Sequence, residues 1–196
     1  MAQSFSLSAG PDTDIWKKPP TTDVFNAPFQ THSSGPLAGF RSAQVTFAAT
    51  YTQRYDQAGL LFRLTHPAHH PQRRWVKTGI ELYEGLPRLS TVSCEGWADW
   101  SVGPVGDDGA AAADVAAGRR SVTVQVRSEG DDNGRSWWVY HVDGETRTPL
   151  REICWVADPQ YAGWTLEVAA LVARPAKGEG AGQLEAKFEN FAVEWA

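Results

Sequence analysis

The chain has 196 residues, 42% of them hydrophobic and 21% charged, with a formal net charge of -5. That length suits one undivided all-β domain, and the composition is that of a globular chain rather than a disordered one. The acidic balance argues against nonspecific nucleic-acid binding, which needs a basic surface, and no apolar run is long enough to span a bilayer.

Taken in chain order, the first segment, Met1 to Gly10, has neither a basic start nor an apolar stretch, so it does not read as a secretory leader and a cytoplasmic location is expected. Residues 10 to 36 are rich in Pro, Thr, Asp and Ser, with Trp16 and Phe25 embedded. Residues 1–36 are expected to form an irregular stretch anchored on the body by those aromatics. Ten strand candidates follow: Phe40–Tyr51, Gln57–Thr65, Arg73–Tyr83, Arg88–Cys94, Ala98–Val102, Arg119–Ser128, Ser136–Val142, Arg151–Val156, Trp164–Ala173 and Glu185–Trp195. Glu84-Gly85, Asp132-Asn133-Gly134 and Asp143-Gly144 supply turns between them. Between the fifth and sixth candidates, Ala110–Ala117 is alanine-rich and bounded by glycines, which predicts a single helical turn or a flexible loop. Strands without crossover helices imply two packed antiparallel sheets. The chain carries 9 Trp, 8 Phe and 5 Tyr but one Met, which suits rigid sheets better than a helical bundle. Cys94 and Cys154 are too few for a disulfide framework and read as small apolar residues.

Successive side chains of a strand point to opposite faces. Trp75, Lys77, Gly79, Glu81 and Tyr83 therefore share one face, while Val76, Thr78, Ile80 and Leu82 point to the core. Arg63 joins the first set from the neighbouring strand. An aromatic plane beside charged hydrogen-bonding groups suits a sugar, which stacks by its apolar face and presents hydroxyls or a carboxylate at its rim. A cross-strand ion pair of Arg63 or Lys77 with Glu81 is the structural alternative. Trp100 is expected near this site and Trp97 at its rim, with Trp138 as a further stacking residue. His141 is the one histidine on a strand and a candidate base, or else a hydrogen-bonded core histidine. Trp137, Val139 and His141 alternate with Trp138, Tyr140 and Val142, so something must cover the outer face of that strand.

Glycoside hydrolysis needs two facing carboxylates. Glu81 is the candidate acid or base on its strand, and Asp99 is either its second carboxylate or a strand-end hydrogen-bonding group. His66, His69 and His70 lie on a Pro-flanked loop without a rigid frame, and Asp12 and Asp14 lie in an irregular segment, so no metal site and no cofactor are expected. Nucleophile elbows and phosphate loops are absent.

Asp56-Gln57-Ala58-Gly59, Trp75 to Glu81 and Asp99-Trp100-Ser101, followed in order by Trp138–Val142 with Asp143-Gly144, Leu150-Arg151-Glu152, Leu166–Ala173 and Phe188–Val193, resemble the domain of unknown function 1349 family. The resemblance covers nearly all of the chain beyond about residue 35. It implies a concanavalin A-like jelly roll, a fold whose relatives often bind or cleave carbohydrate on a concave sheet. The family has no settled activity and lends no catalytic residue, and its yeast relative is described as a regulator of enolase. The chain departs from the family's pattern in an insertion at His66–Pro71 and in the loop at 107–118. The expected function is thus a concave-face binding module for a carbohydrate or polar metabolite. A sugar-directed enzyme using Glu81 and a regulatory module that binds another protein are the alternatives.

Overall fold

The structure is a computed structural model and describes residues 4–106, 109–178, 180 and 182–196. In chain order its elements are β1 (Phe5–Ala9), β2 (Ile15–Lys18), β3 (Thr22–Phe25), β4 (Phe29–Pro36), β5 (Phe40–Ala49), β6 (Gln57–Thr65), β7 (Arg73–Tyr83), β8 (Leu86–Cys94), β9 (Ala98–Pro104), α1 (Gly109–Ala116), β10 (Val122–Asp131), β11 (Gly134–Asp143), β12 (Thr146–Ile153), β13 (Thr165–Ala173) and β14 (Leu184–Trp195). Two six-stranded antiparallel sheets form a sandwich, in the orders β1-β14-β5-β10-β11-β12 and β4-β13-β6-β7-β8-β9. The hairpin β2–β3 belongs to neither.

The alternation in the sequence builds the core between the sheets. Val122, Val124 and Val126 point inward from β10 against Phe62, Val76 and Ile80 of the second sheet, with Phe40, Phe47, Trp137 and Phe188 filling the middle. β6 and β7 are different, because they are buried on both faces. The outer face of the second sheet is partly roofed by the β2–β3 hairpin, which buries Ile15 and Ala27 against Leu61, Trp75, Val92, Cys94 and Ala169 in a second, smaller apolar cluster.

Residues 4–36 are therefore largely strand rather than the irregular stretch their composition suggested, and residues 1–3 of that expectation lie outside the described residues. Phe5 and Leu7 alternate with serines in β1, which pairs β14, and the polar β4 is an edge strand beside β13. An edge strand facing solvent needs little apolar alternation, which is why its composition reads as loop. α1 also exceeds the expected single turn. It spans eight residues, buries Val115 in the main core and is closed by Arg119, whose guanidinium bonds Asp114. β12 starts five residues before the predicted segment. Its Pro149 sits at a register shift on the sheet edge, where a missing N–H is tolerated.

The Asp56 motif is structural. Its carboxylate is fully buried and accepts both arms of the Arg174 guanidinium at 2.8 and 2.7 Å, and it also takes the N–H groups of Thr52 and Gln53. Cys94 and Cys154 are both free thiols. The His66–Pro71 insertion makes a 3-10 turn over residues 67–69, with His66 and His69 packed on Trp164.

Candidate functional site on the outer face of the second sheet

β6, β7 and β8 align Gln57 with Glu81, Gly59 with Gly79, and Gly79 with Ser90. By the alternation of strands, Gln57, Lys77, Glu81 and Ser90 then surround a patch of bare backbone made by the two glycines. The glycines are needed for the close approach of β6 and β7. A Cβ on Gly79 would lie 2.0 Å from the Ala58 carbonyl oxygen, and one on Gly59 would lie 2.1 Å from that of Thr78. The resulting depression is small, with a free volume of about 10 Å³ and Leu171 at its edge, the size of a single water.

Its walls are charged and nearly sealed. Lys77 is 5% and Glu81 6% exposed. The Lys77 ammonium donates to Gln57 Oε1 at 2.7 Å and to Asp14 Oδ1 at 3.2 Å. Asp14 comes from the segment just before β2, and Gln57 Nε2 also donates to it. Glu81 accepts the Ser90 hydroxyl at 2.8 Å, and the Trp100 indole N–H donates to that same Ser90 Oγ at 3.0 Å. Among the described residues no cation lies within ion-pair distance of Glu81. Burial is the main cause that lifts its carboxyl above the usual range; Lys77 and the Ser90 hydrogen bond pull the other way, and Asp14 adds to the lift.

Beside this floor stands an aromatic wall. Tyr83 meets Trp100 edge-on at 5.0 Å, Tyr55 stacks on Tyr83 at 5.9 Å, and the Arg54 guanidinium covers Tyr55 at 4.8 Å. Trp16 of the hairpin meets Trp100 at right angles at 6.5 Å. All four rings are half-exposed.

Lys77, Glu81 and Trp100 thus come together as the strand alternation predicts. Trp75 shares their face but is 1% exposed and sealed beneath the hairpin, so it cannot stack on a ligand. Arg63 is held by Glu167 from β13 and covers Phe29, away from Glu81. Asp99 points to the opposite side of β9 from Trp100 and binds Arg151, so it is no second carboxylate for Glu81. Trp138 stands on the outer face of the other sheet, and His141 shares the inward side of β11 with Trp137 and Val139, so neither belongs here. Burial pushes the His141 imidazole pKa down. Trp97 is 47% exposed, beneath the Lys17 ammonium. Sequence reasoning missed Asp14, Trp16, Tyr55, Gln57 and Ser90 as site residues. Gln57 and Ser90 had a usable signal, since each pairs directly with a β7 residue of this face, Glu81 and Gly79, and paired residues of neighbouring strands share a face.

Comparison with known proteins agrees with this architecture. The profile of DUF1349, described as a protein of unknown function, matches residues 1–195. The chain belongs to this family. An uncharacterized protein of Emericella nidulans is 38% identical over 192 residues, spanning 97% of this chain and 86% of that protein. Regulation of enolase protein 1 of Saccharomyces cerevisiae is 32% identical over 110 residues, 54% of this chain and 49% of the yeast protein. Among solved structures, a functionally unknown protein from Saccharomyces cerevisiae superposes with TM-score 0.72 at 20% identity, covering 98% of this chain and 88% of that one. The alginate lyase from Klebsiella pneumoniae superposes at 0.53 and 11% identity, covering 81% and 61%. The DUF1349 chain is thus a concanavalin A-like β-sandwich whose structural neighbours include carbohydrate-active proteins.

Proposed function

We propose that this DUF1349 protein is a binding module for a carbohydrate or similar polar metabolite. The ligand rests on the Tyr55–Tyr83–Trp100 wall and sends one polar group to Lys77 and Glu81. The observation that carries this reading is Glu81 itself. A buried carboxyl met by neutral hydrogen-bond donors, the Ser90 hydroxyl and the Trp100 indole, with no cation in ion-pair contact among the described residues, costs folding free energy. The fold bears that cost beside half-exposed aromatic rings, in a pocket whose floor has been cleared of side chains. Aromatic faces with a few convergent polar groups are what sugar recognition requires. The fold shared with the Klebsiella alginate lyase favours a saccharide as the class to screen first.

The test is a calorimetric and thermal-shift screen of neutral and uronic-acid oligosaccharides. A binder should raise the melting temperature of the wild type. Lys77→Met and Glu81→Gln should each weaken it tenfold or more. A ligand that binds both variants as tightly as the wild type overturns the assignment.

A second reading has its own observation. Burial lets Glu81 hold its proton longer than an ordinary carboxyl, as a general acid must. Product formation from an oligosaccharide that Glu81→Gln abolishes would favour this enzyme over the binder. The match to Regulation of enolase protein 1 supports a third, regulatory role through a protein partner. Capture of that partner would survive both substitutions.

A further inference from the structure

The first sheet carries a depression of its own on its outer face, the side of the sandwich opposite the Lys77–Glu81 floor. Its volume is about 310 Å³, and Glu129, Asp131, Ser136, Trp138, Tyr140 and Pro149 line it. That is about the lower bound of small-molecule pockets. Trp138 and Tyr140 are two apart on β11, so both rings stand on this face. Their centroids are 6.4 Å apart and their planes differ by 25°, which makes one nearly continuous shelf. Both residues are half-exposed.

The shelf is held in place before any ligand arrives. Tyr140 Oη donates to Glu129 Oε2 at 3.0 Å, and Arg127 Nε donates to Glu129 Oε1 at 2.9 Å. Ser136 Oγ donates to Glu152 Oε1 at 2.6 Å, and Glu152 pairs with Trp138 in the β11–β12 register. These bonds turn the Tyr140 and Ser136 hydroxyls and the Arg127 Nε onto carboxylates, and carboxylate acceptors are left around the shelf. Carboxylate lone pairs remain on Asp131 and Glu152.

An occupant must therefore offer an apolar face to two coplanar rings and several hydroxyl donors to carboxylates. We propose that the Trp138–Tyr140 shelf is a second binding site, specific for a neutral pyranose. Around this shelf the carboxylates of Glu129, Asp131 and Glu152 outnumber the guanidinium groups of Arg127 and Arg147, so an anionic sugar is disfavoured. A quaternary amine is favoured by rings that enclose it, whereas these two lie side by side. The site is independent of the ligand assigned to the other sheet.

The test is NMR titration of the whole protein, following the Trp138 indole N–H. The probes are cellohexaose, maltohexaose and mannohexaose as neutral ligands, hexagalacturonate as an anion and tetramethylammonium as a cation. At least one neutral hexasaccharide should shift the Trp138 resonance at millimolar concentration. Trp138→Ala and Asp131→Asn should weaken its binding at this shelf tenfold and about threefold. The wild-type resonance and Asp131→Asn carry the test even if Trp138→Ala folds poorly. A Trp138 signal that ignores every neutral sugar, or that answers only to hexagalacturonate or tetramethylammonium, overturns the proposal, as does a Tyr140 ring shift with a neutral sugar that persists undiminished in a folded Trp138→Ala protein.

Discussion

Two buried carboxylates show how environment divides one chemical group into two roles. Asp56 is locked by Arg174 and two backbone N–H groups. Removing one partner of such a pair strands the other charge in the interior. Asp56→Ala should therefore cost about 3–5 kcal/mol, read as a fall in the urea midpoint. Among the described residues Glu81 has no cation within ion-pair distance, and its raised folded-state pKa has the opposite consequence. Between the ordinary carboxyl value and the raised one, the folded protein holds a proton that the unfolded chain has released, so stability falls as pH rises through that window. Glu81→Gln removes this slope. The stability of the wild type relative to Glu81→Gln, from urea melts across the acidic range, should decline with rising pH; a flat difference contradicts the assignment. The alternation of β7 made the placing of Lys77 and Glu81 legible in sequence. Which partners Lys77 and Arg63 would find was not legible, because Asp14 and Glu167 arrive from segments distant in the chain.

At the scale of elements, the long strands with apolar inner faces were readable, whereas short β1 was missed despite its Phe5 and Leu7, and so were the polar β2, β3 and β4. β6 and β7 match their sequence-predicted limits, since unbroken runs such as Leu60-Leu61-Phe62 end at turn residues. The hairpin β2–β3 carries only Ile15 as a fully buried large residue among lysines, threonines and prolines, and so it reads as loop. Its order comes from what it covers. Arg73 reaches Asp23 and lies over Phe25 at 4.3 Å, while Ile15 and Ala27 seal Trp75. Ile15→Ala should accordingly destabilise the protein by about 2–5 kcal/mol, and hydrogen exchange should locate the loss in residues 15–25 and the Trp75 region. A loss confined to the core between the sheets would mean that the hairpin is not what closes this face. The loss of Trp75 as a ligand contact has the same root: strand alternation gives a side chain's face, not what a separate segment lays over it.

Across the whole molecule, the two sheets face each other through the apolar core, and one margin is closed by polar contacts. Arg151 of β12 reaches Asp99 and Ser101 of β9, joining the last strands of the two sheets. Two of the sequence motifs thus meet across the sandwich. Asp99 is largely exposed, so solvent screens the pair. Arg151→Ala should cost no more than about 1 kcal/mol in a chemical melt; a larger loss would show that this margin rather than the core holds the sheets together. The all-β class and the two-layer arrangement followed from composition and turn spacing, whereas the order of strands did not. β1 pairs with β14 and β5 lies between β14 and β10, pairings between parts of the chain that no local pattern encodes.

The Lys77–Asp14 contact bears on any binding measurement. Asp14 belongs to the same chain and is delivered to the Lys77 ammonium by the covering hairpin, so it acts as a tethered competitor with a high effective concentration. A free carboxylate entering from solution has to displace it, and its observed affinity is lower than the ammonium alone would give. An acidic ligand that looks weak against the intact chain would bind more tightly once Asp14 is replaced by asparagine, and the gain would measure the strength of the protein's own occupant.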